Sequence, residues 1–245
     1  MKSESNTVLI TGGGSGIGFE TAKLFVEKGN KVIIAGRNLE KLEAAAEQLG
    51  NVSIIQCDIT SESDVNNLVV RITTEYPDLN ILINNSGAAF GYSLAEGANA
   101  HASALKEMEI NYLAPVRLTE KLLPILKNQA ESAIINITSV VAIVPWAVMP
   151  TYSASKAALQ SYTRLLRLSL RTSNIQVFEV LPPLVDTAFS KNIPVDKMDP
   201  KDVAAAILDG VILDKHEIRI GFSEMFYGLN QQSPEKALNA LNGIS

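Results

Sequence analysis

The chain has very little cysteine and histidine, and each shortage excludes a kind of site. Its 245 residues include one cysteine, Cys57, and two isolated histidines, His101 and His216. A single cysteine excludes an internal disulfide, and the histidines form no cluster with metal-ligand spacing, so we predict no metal site. We interpret Cys57, which follows a β-rich run, as a buried thiol at a strand end.

The chain also lacks a basic run and a long hydrophobic segment. Lysine and arginine total 21 against 26 acidic residues, which gives a net charge of −5, and the cations are scattered. This pattern disfavours nucleic acid and anionic membranes as partners and favours a small molecule. The longest apolar stretch, 140–149, is about half a membrane span, and the polar start has no signal-like segment. We therefore expect a cytoplasmic protein that does not enter a membrane.

Short β-rich runs alternate with helical patterns almost throughout the chain. Most of the apolar runs, which begin near residues 8, 32, 52, 81, 134, 175 and 217, lack the alternation of a half-exposed sheet. Helical patterns lie near 17–28, 38–49, 62–75, 100–128, 151–172 and 200–212, with one more from about 234 onward. The composition does not break, so we predict one α/β domain over 1–245, a doubly wound, seven-stranded parallel sheet with a Rossmann-like topology.

A glycine-rich stretch separates the first strand from the first helix. Five glycines fall among residues 12–18, directly after the apolar run 8–10. Glycine accepts backbone conformations that other residues avoid, and the first N–H groups of the following helix point into such a turn. This predicts a binding site for the pyrophosphate of a dinucleotide. The alternative is a tight turn that binds nothing.

The end of the second strand indicates which dinucleotide would bind. Residues 36–38 read Gly-Arg-Asn, at about the distance from the glycine turn where an NAD site would place an acid. No acid is present, whereas the planar, charged fork of Arg37 suits an adenine face and a 2′-phosphate. We therefore favour NADP over NAD. Alternatively, Arg37 is a solvated arginine at the start of a helix.

Two further strand ends carry polar side chains. Asp58 follows the third strand, where its carboxylate either accepts from an adenine amino group or caps the next helix. Residues 84–87, Asn-Asn-Ser-Gly, follow the fourth strand and offer hydrogen bonds to a neighbouring strand and to a ribose.

Tyr152 and Lys156 are four residues apart in a predicted helix that follows Thr138 and Ser139 at the end of the fifth strand. The spacing puts both side chains on one helix face, where the ammonium lowers the pKa of the phenol. A tyrosine tuned in this way exchanges a proton near neutral pH. The spacing alone is a weak signal, and its weight comes from the other motifs.

Taken together, the motifs resemble the single-domain branch of the short-chain dehydrogenase/reductases. They are Thr-Gly-x-x-x-Gly-x-Gly at 11–18, Asn-Asn-Ser-Gly at 84–87, Asn111, Ser139, Tyr152-x-x-x-Lys156, and Pro182 with Val185 and Thr187. The resemblance runs from about Thr7 to Gly221 and implies a seven-stranded Rossmann-like sheet. Pro183 stands where the family usually has glycine, which affects the backbone contacts expected around the nicotinamide.

The resemblance implies a role for each matching residue. Tyr152 would be the acid or base, Lys156 would lower its pKa and hold the nicotinamide ribose, and Ser139 would polarise the substrate oxygen. Asn111 would hold a water against Lys156, although it is alternatively a mid-helix asparagine beside a kink at Pro115. The residues expected to contact the cofactor are Gly12, Ser15, Gly16, Ile17, Gly18, Arg37, Asn38, Asp58, Ile59, Asn85, Gly87, Tyr152, Lys156, Pro182, Val185 and Thr187.

The residues expected around the substrate are largely apolar. They lie in 88–90, 140–149 and 188–199, with Trp146 and Met149 as the bulky members, and predict a small, partly hydrophobic ketone or secondary alcohol. Alternatively, these side chains belong to the core or to subunit contacts. The helices near 100–128 and 151–172 are apolar on more than one side, as at Leu122 and Leu165, which predicts a homodimer or homotetramer.

Three functions fit these motifs. The first is an NADP-dependent oxidoreductase acting on CH–OH or C=O groups. The second is a non-catalytic protein that senses NADPH on the same fold. The third is an epimerase or dehydratase with the same tyrosine and lysine, but the short region after the sixth strand leaves little room for a sugar-nucleotide subdomain.

Overall fold

The computed structural model describes residues 1–95, 97–187, 190–191 and 196–244. These residues form one parallel sheet of seven strands in the order β3-β2-β1-β4-β5-β6-β7. The strands are β1 (Thr7–Thr11), β2 (Lys31–Gly36), β3 (Val52–Gln56), β4 (Leu79–Asn84), β5 (Ser132–Ile137), β6 (Ile175–Leu181) and β7 (Glu217–Arg219). The predicted fold class is confirmed.

Nine α-helices lie in the described part of the chain. They are α1 (Gly16–Glu27), α2 (Leu39–Leu49), α3 (Glu62–Glu75), α4 (Ala100–Met108), α5 (Ala114–Lys127), α6 (Pro150–Ser169), α7 (Pro200–Ile212), α8 (Phe222–Gln232) and α9 (Pro234–Leu241). A π-helical segment, Glu109–Leu113, joins α4 to α5, and a short 3₁₀ helix, Val140–Ala142, follows β5. The chain is therefore wound on both faces of the sheet.

Successive residues of the central strands contribute to opposite faces of the sheet. In β1, Val8 and Ile10 pack with α1, α2 and α7, whereas Leu9 packs with α3 and α5. All three side chains are fully buried. Burial on both faces explains why these strands are apolar throughout rather than alternating, and why the sequence predicted a covered parallel sheet.

Helix ends follow local chemistry that the sequence shows. Asp199 caps α7, since its side chain accepts from the N–H of Lys201 at 2.8 Å, and Pro200 occupies the first turn. The predicted helix over 100–128 is instead two α-helices joined by the π-helical segment. The prediction also missed α8, whose apolar side chains line a cavity.

Apolar residues of the two long helices divide between the core and the surface. Leu122 and Leu159 are buried, and Leu122 belongs to the core cluster on the α3 side, so core packing accounts for them. Leu165 and Leu168 of α6 remain 60% and 57% exposed. Among the described residues, no helix has the length and apolar character needed to cross a membrane.

Candidate active site

A cavity of about 1090 Å³ lies along the carboxyl ends of the strands. Most of the residues predicted to bind cofactor or to act in catalysis line it. They are Gly12, Ser15, Gly16, Ile17, Arg37, Asn38, Asp58, Ile59, Asn85, Gly87, Ser139, Tyr152, Lys156, Pro182, Val185 and Thr187. Gly18 and Asn111 stand outside its described lining. The cavity thus unites motifs that are distant in the sequence.

The glycine turn at the start of α1 has the backbone that its composition predicts. Gly12 and Gly16 have φ angles of 67° and 56°, in the left-handed region that favours glycine. A Cβ on Gly16 would lie 2.9 Å from Cγ2 of Thr187. The chain after β6 therefore passes directly against this turn, and the two segments enclose the cavity together.

Gly18 packs closely against the end of β1. A Cβ on this buried residue would lie 2.4 Å from the carbonyl oxygen of Gly12 and 2.5 Å from Nδ2 of Asn85. The missing side chain lets α1 approach the end of β1 closely. The contact of Gly18 with a pyrophosphate stays a prediction.

Two cations border the cavity at the start of α2. Arg37 is exposed and lines the cavity, and no acidic residue in the described part of the chain pairs with its guanidinium. Lys41 lines the same region and was missed in the sequence, although a second cation four residues after Arg37 is a recognisable signal. Asn38 caps α2, since its side chain accepts from the N–H of Lys41 at 2.9 Å.

Asp58 does not cap the helix that follows it. Its Oδ1 accepts from the N–H and the hydroxyl of Thr60, at 2.9 and 2.7 Å. Ser61 caps α3 instead, by accepting from the N–H of Asp64. The capping alternative for Asp58 is therefore wrong, and its carboxylate lines the cavity beside Ile59.

Asn85 connects the end of β4 to the glycine turn. Its Nδ2 donates to the carbonyl oxygens of Thr11 and Gly12, at 2.9 and 3.2 Å. Its own N–H donates to the hydroxyl of Thr11 at 3.0 Å. The predicted hydrogen bonds to a neighbouring strand are present, and they hold the glycine turn against the end of β4.

Three polar side chains converge at the end of β5. Helix α6 carries Tyr152 and Lys156 one turn apart, with Lys156 Nζ 5.7 Å from the centre of the phenol ring. Lys156 is 4% exposed and donates to the carbonyl oxygen of Ile137 at 2.8 Å. Ser139, 7% exposed, forms a hydrogen bond with Tyr152. These contacts fix the three groups at one wall of the cavity.

The pKa of Tyr152 is shifted in the direction opposite to the prediction. Burial raises the pKa of the phenol above its ordinary value, the hydrogen bond with Ser139 lowers it, and the nearby charge of Glu107 raises it further. Burial also lowers the pKa of Lys156 to about 8. The four-residue spacing indicates the proximity of the ammonium, but loss of water around the phenol has the larger effect. The phenol is consequently protonated at neutral pH.

The buried ammonium should make the stability of the cofactor-free chain depend on pH. Because the pKa of Lys156 falls from 10.5 to about 8 on folding, the folded state binds fewer protons between those values. Its burial therefore costs roughly 3 kcal/mol at pH 7, and this cost disappears as the pH rises from about 8 to 10.5. Lys156→Met should be the more stable chain at pH 7 and lose that advantage by pH 10.

Urea unfolding of both chains at pH 7, 8, 9 and 10 measures this difference. Lys127→Met, at an exposed lysine of α5, serves as the control and should show no such trend. A difference between the wild type and Lys156→Met that does not vary with pH would contradict the assigned burial.

Asn111 lies in the π-helical segment that joins α4 to α5. Its side chain accepts from the N–H of Ala88 and donates to the carbonyl of Ala88, both at 2.8 Å, and also donates to Ser155 Oγ at 2.9 Å. A Cβ on Gly87 would lie 3.3 Å from Asn111 Oδ1 and 3.7 Å from Lys156 Nζ. Asn111 thus lies behind the cavity wall, close to Lys156.

The chain after β6 supplies the next part of the wall. Pro182, Pro183 and Leu184 line the cavity, and the carbonyl of Pro182 accepts from the N–H of Val140 at 3.0 Å. Val185 is buried and forms a parallel bridge with Met198. Proline at 183 is therefore compatible with a wall at this position.

The expected apolar walls are present in part. Ala88, Val140, Val141, Trp146 and Met149 line the cavity. Within the predicted stretch 188–199, residues 196–198 also line it, whereas 188–189 and 192–195 lie outside the described residues.

The prediction missed the apolar residues that α8 and α9 contribute to the cavity. They are Phe222, Met225 and Phe226 of α8 and Leu241 of α9. The three α8 residues follow an i, i+3, i+4 pattern, which is a usable sequence signal for one helix face.

Comparison with known proteins agrees with this geometry. The family model for short chain dehydrogenases matches residues 6–197. The chain is 39% identical over 224 residues to the uncharacterized oxidoreductase DltE of Bacillus subtilis (strain 168), covering 89% of each chain. An identity of 39% over most of both chains indicates that the two proteins are related.

Solved structures show the same fold. A short chain dehydrogenase from Burkholderia cenocepacia J2315, in complex with NADP, is 29% identical, covers 98% of both chains and has a TM-score of 0.87. A short chain dehydrogenase/reductase from Burkholderia phymatum, in complex with NAD, is 20% identical over 89% of both chains with a TM-score of 0.83, and its likeness shows the fold alone. The family model, the relative and the fold agree, and the chain belongs to the short-chain dehydrogenase/reductase family as an oxidoreductase.

Proposed function

We propose that the chain transfers a hydride between NADP and a small, partly hydrophobic ketone or secondary alcohol. The observation that carries this proposal is one cavity lined both by the glycine turn with Arg37 and by Tyr152 with Lys156. A phosphate site and a proton-exchanging phenol in the same cavity suit reduction of a carbonyl group. NADP is also the ligand of the Burkholderia cenocepacia relative.

The residues that line the cavity fit such a dinucleotide. The turn at Gly12 and Gly16 leaves backbone without side chains, and the start of α1 offers unpaired N–H groups to a pyrophosphate. Arg37 and Lys41 provide two cations for a 2′-phosphate. At the other end, Lys156 is the candidate for the ribose hydroxyls.

Side chains of the protein transfer the proton in this reaction. The bound cofactor supplies or accepts the hydride at the substrate carbon. In the reducing direction, the Tyr152 phenol gives its proton to the carbonyl oxygen, which balances the hydride and leaves an alcohol. Ser139 donates a hydrogen bond to the same oxygen, and the Lys156 ammonium stabilises the tyrosinate that remains. In oxidation, the same phenol oxygen takes the proton back.

Part of the cavity lining supports a partly apolar substrate. Val141, Trp146, Met149, Leu184 and Phe226 present hydrocarbon and aromatic surface to the cavity. A substrate buried against these groups gains binding free energy because its apolar surface is removed from water.

The test is a panel of ketones, aldehydes and secondary alcohols, with turnover followed by NADPH consumption or production. Turnover of members of the panel supports the proposal, and tight NADPH binding without any turnover would favour the sensing function instead.

We also propose that the chain is a homodimer or homotetramer. Leu105 of α4 and Leu168 of α6 are 59% and 57% exposed, and such leucines on neighbouring helices favour a symmetric contact. Light scattering at micromolar concentration should give at least twice the 26.4 kDa chain mass. Leu165→Glu with Leu168→Glu should shift the protein toward the monomer, and a monomeric wild type would contradict the proposal.

A further inference from the structure

The two C-terminal helices form a wall of the cavity that the family model does not include. The match to the family ends at residue 197, whereas α8 and α9 span Phe222–Leu241. Phe222 and Met225 line the cavity and are still 60% and 53% exposed, and Leu241 lines it from α9. Apolar side chains at a cavity wall that remain accessible are suited to contact a bound molecule.

One side chain connects this wall to the chain around Trp146. Asn242, directly after α9, accepts from the N–H of Ala147 at 2.7 Å and donates to the carbonyl of Pro145 at 3.0 Å. Its amide therefore pairs with the backbone on both sides of Trp146. The Asn242 side chain is itself held, because Nδ2 also donates to the carbonyl of Leu238 at 2.7 Å.

The same segment is also held by α6. The N–H of Trp146 donates to Ser153 Oγ at 3.1 Å, and Ser153 follows Tyr152 in the chain. Trp146 and Leu241, which both line the cavity, are thus fixed by neighbouring hydrogen bonds. The position of this apolar wall relative to Tyr152 depends on Asn242 at one end and on Ser153 at the other.

We propose that Asn242 is a specificity-determining positioning residue that holds Leu241 beside Trp146 as a wall for the apolar substituent of a bulky carbonyl substrate. This proposal rests on the proposed carbonyl reduction and deepens it. A substituent such as an aryl group gains contact area only where the two side chains are held together, whereas a small aliphatic ketone does not reach both. Asn242 contributes to the binding of the large substrate and leaves proton transfer at Tyr152 unchanged.

The test compares Asn242→Ala with Asn239→Ala, which removes the same kind of side chain from the last turn of α9 without breaking these contacts. Trp146 is the only tryptophan in the sequence, so its fluorescence reports on this wall without any turnover. In the cofactor-free chain, Asn242→Ala should increase acrylamide quenching of Trp146 relative to the wild type and Asn239→Ala. Asn242→Asp keeps the acceptor for Ala147 but loses the donor to Pro145. Its acrylamide quenching should therefore lie between that of the wild type and that of Asn242→Ala.

The kinetic part uses 2-acetylnaphthalene and 2-butanone with NADPH. Loss of the two hydrogen bonds should raise KM for 2-acetylnaphthalene about fivefold or more while leaving kcat/KM for 2-butanone within about twofold. Equal quenching in Asn242→Ala and Asn239→Ala, or increased quenching with an unchanged KM ratio, would overturn the role of Asn242. A wild type that turns over no carbonyl while Trp146 responds as expected would instead overturn the proposed reaction, so the two failures are distinguishable.

Discussion

Tyr152→Phe should lower turnover about 10²–10⁴-fold while leaving the dissociation constant of NADPH nearly unchanged. The substitution removes the only proton-donating group of this side chain, and the ring still fills the same space on α6. Because burial keeps the phenol protonated at neutral pH, the wild type holds the proton that the carbonyl oxygen takes up on reduction, and the variant lacks it. Steady-state rates with the best carbonyl of the panel, together with NADPH titration, measure the two quantities separately.

Tyr162→Phe is the matched control for this experiment. Tyr162 lies on the same helix, packs edge-to-face with Tyr112 and is outside the described cavity lining. Removing its hydroxyl should leave turnover within a few-fold of the wild type. Retained activity in Tyr152→Phe, or an equal loss in both variants, would contradict the role assigned to Tyr152.

Arg37→Asp should reverse the preference between NADPH and NADH. A charge-assisted contact with a 2′-phosphate favours NADPH over NADH about tenfold to a hundredfold in the wild type. An aspartate at the same position repels the phosphate and accepts from the ribose hydroxyls of NADH instead. Lys41 remains in the variant, so NADPH binding should weaken without disappearing.

Dissociation constants for both cofactors, obtained by fluorescence titration, test this expectation. Arg171→Asp makes the same change of charge at an exposed arginine outside the described cavity lining and controls for long-range electrostatics. If the wild type binds NADPH and NADH equally, the assignment of Arg37 to a phosphate is wrong. Measurements at two salt concentrations should show a larger salt effect for NADPH.

The sheet and most of the cavity lining could be predicted from short-range patterns. Continuous apolar runs such as Val8–Ile10 indicate buried parallel strands, and polar residues after those runs meet at one edge because parallel strands end there. Arg37, Asp58 and Ser139 line the cavity for this reason. Local pattern and topology together are sufficient to gather these residues.

Features that depend on distant neighbours could not be predicted in this way. Gly18 belongs to the glycine motif, but its close approach to Asn85, which is far away in the chain, has no local signal. The direction of the pKa shift at Tyr152 depends on how much water the surrounding elements exclude, and spacing along a helix carries no such information. Asn242 likewise has no local pattern that would indicate its contact with Pro145.

Helix α8 shows a different kind of failure. Phe222, Met225 and Phe226 have helical spacing, but Gly228 and the preceding Gly221 are typical of turns. The apolar face of the helix lines the cavity, as Leu241 of α9 does, and this placement is a matter of tertiary structure. Helix propensity alone therefore underestimates the tendency of this segment to form a helix.

The most direct test of the account is a single-turnover reaction with NADPH deuterated at the transferable C4 position of the nicotinamide. The wild type, mixed with the best carbonyl of the panel, should yield an alcohol that carries the deuterium on the former carbonyl carbon. Tyr152→Phe should bind the same cofactor and form this product far more slowly. Tight cofactor binding without labelled alcohol, or NADPH oxidation that leaves the product unlabelled, would contradict hydride transfer at this site.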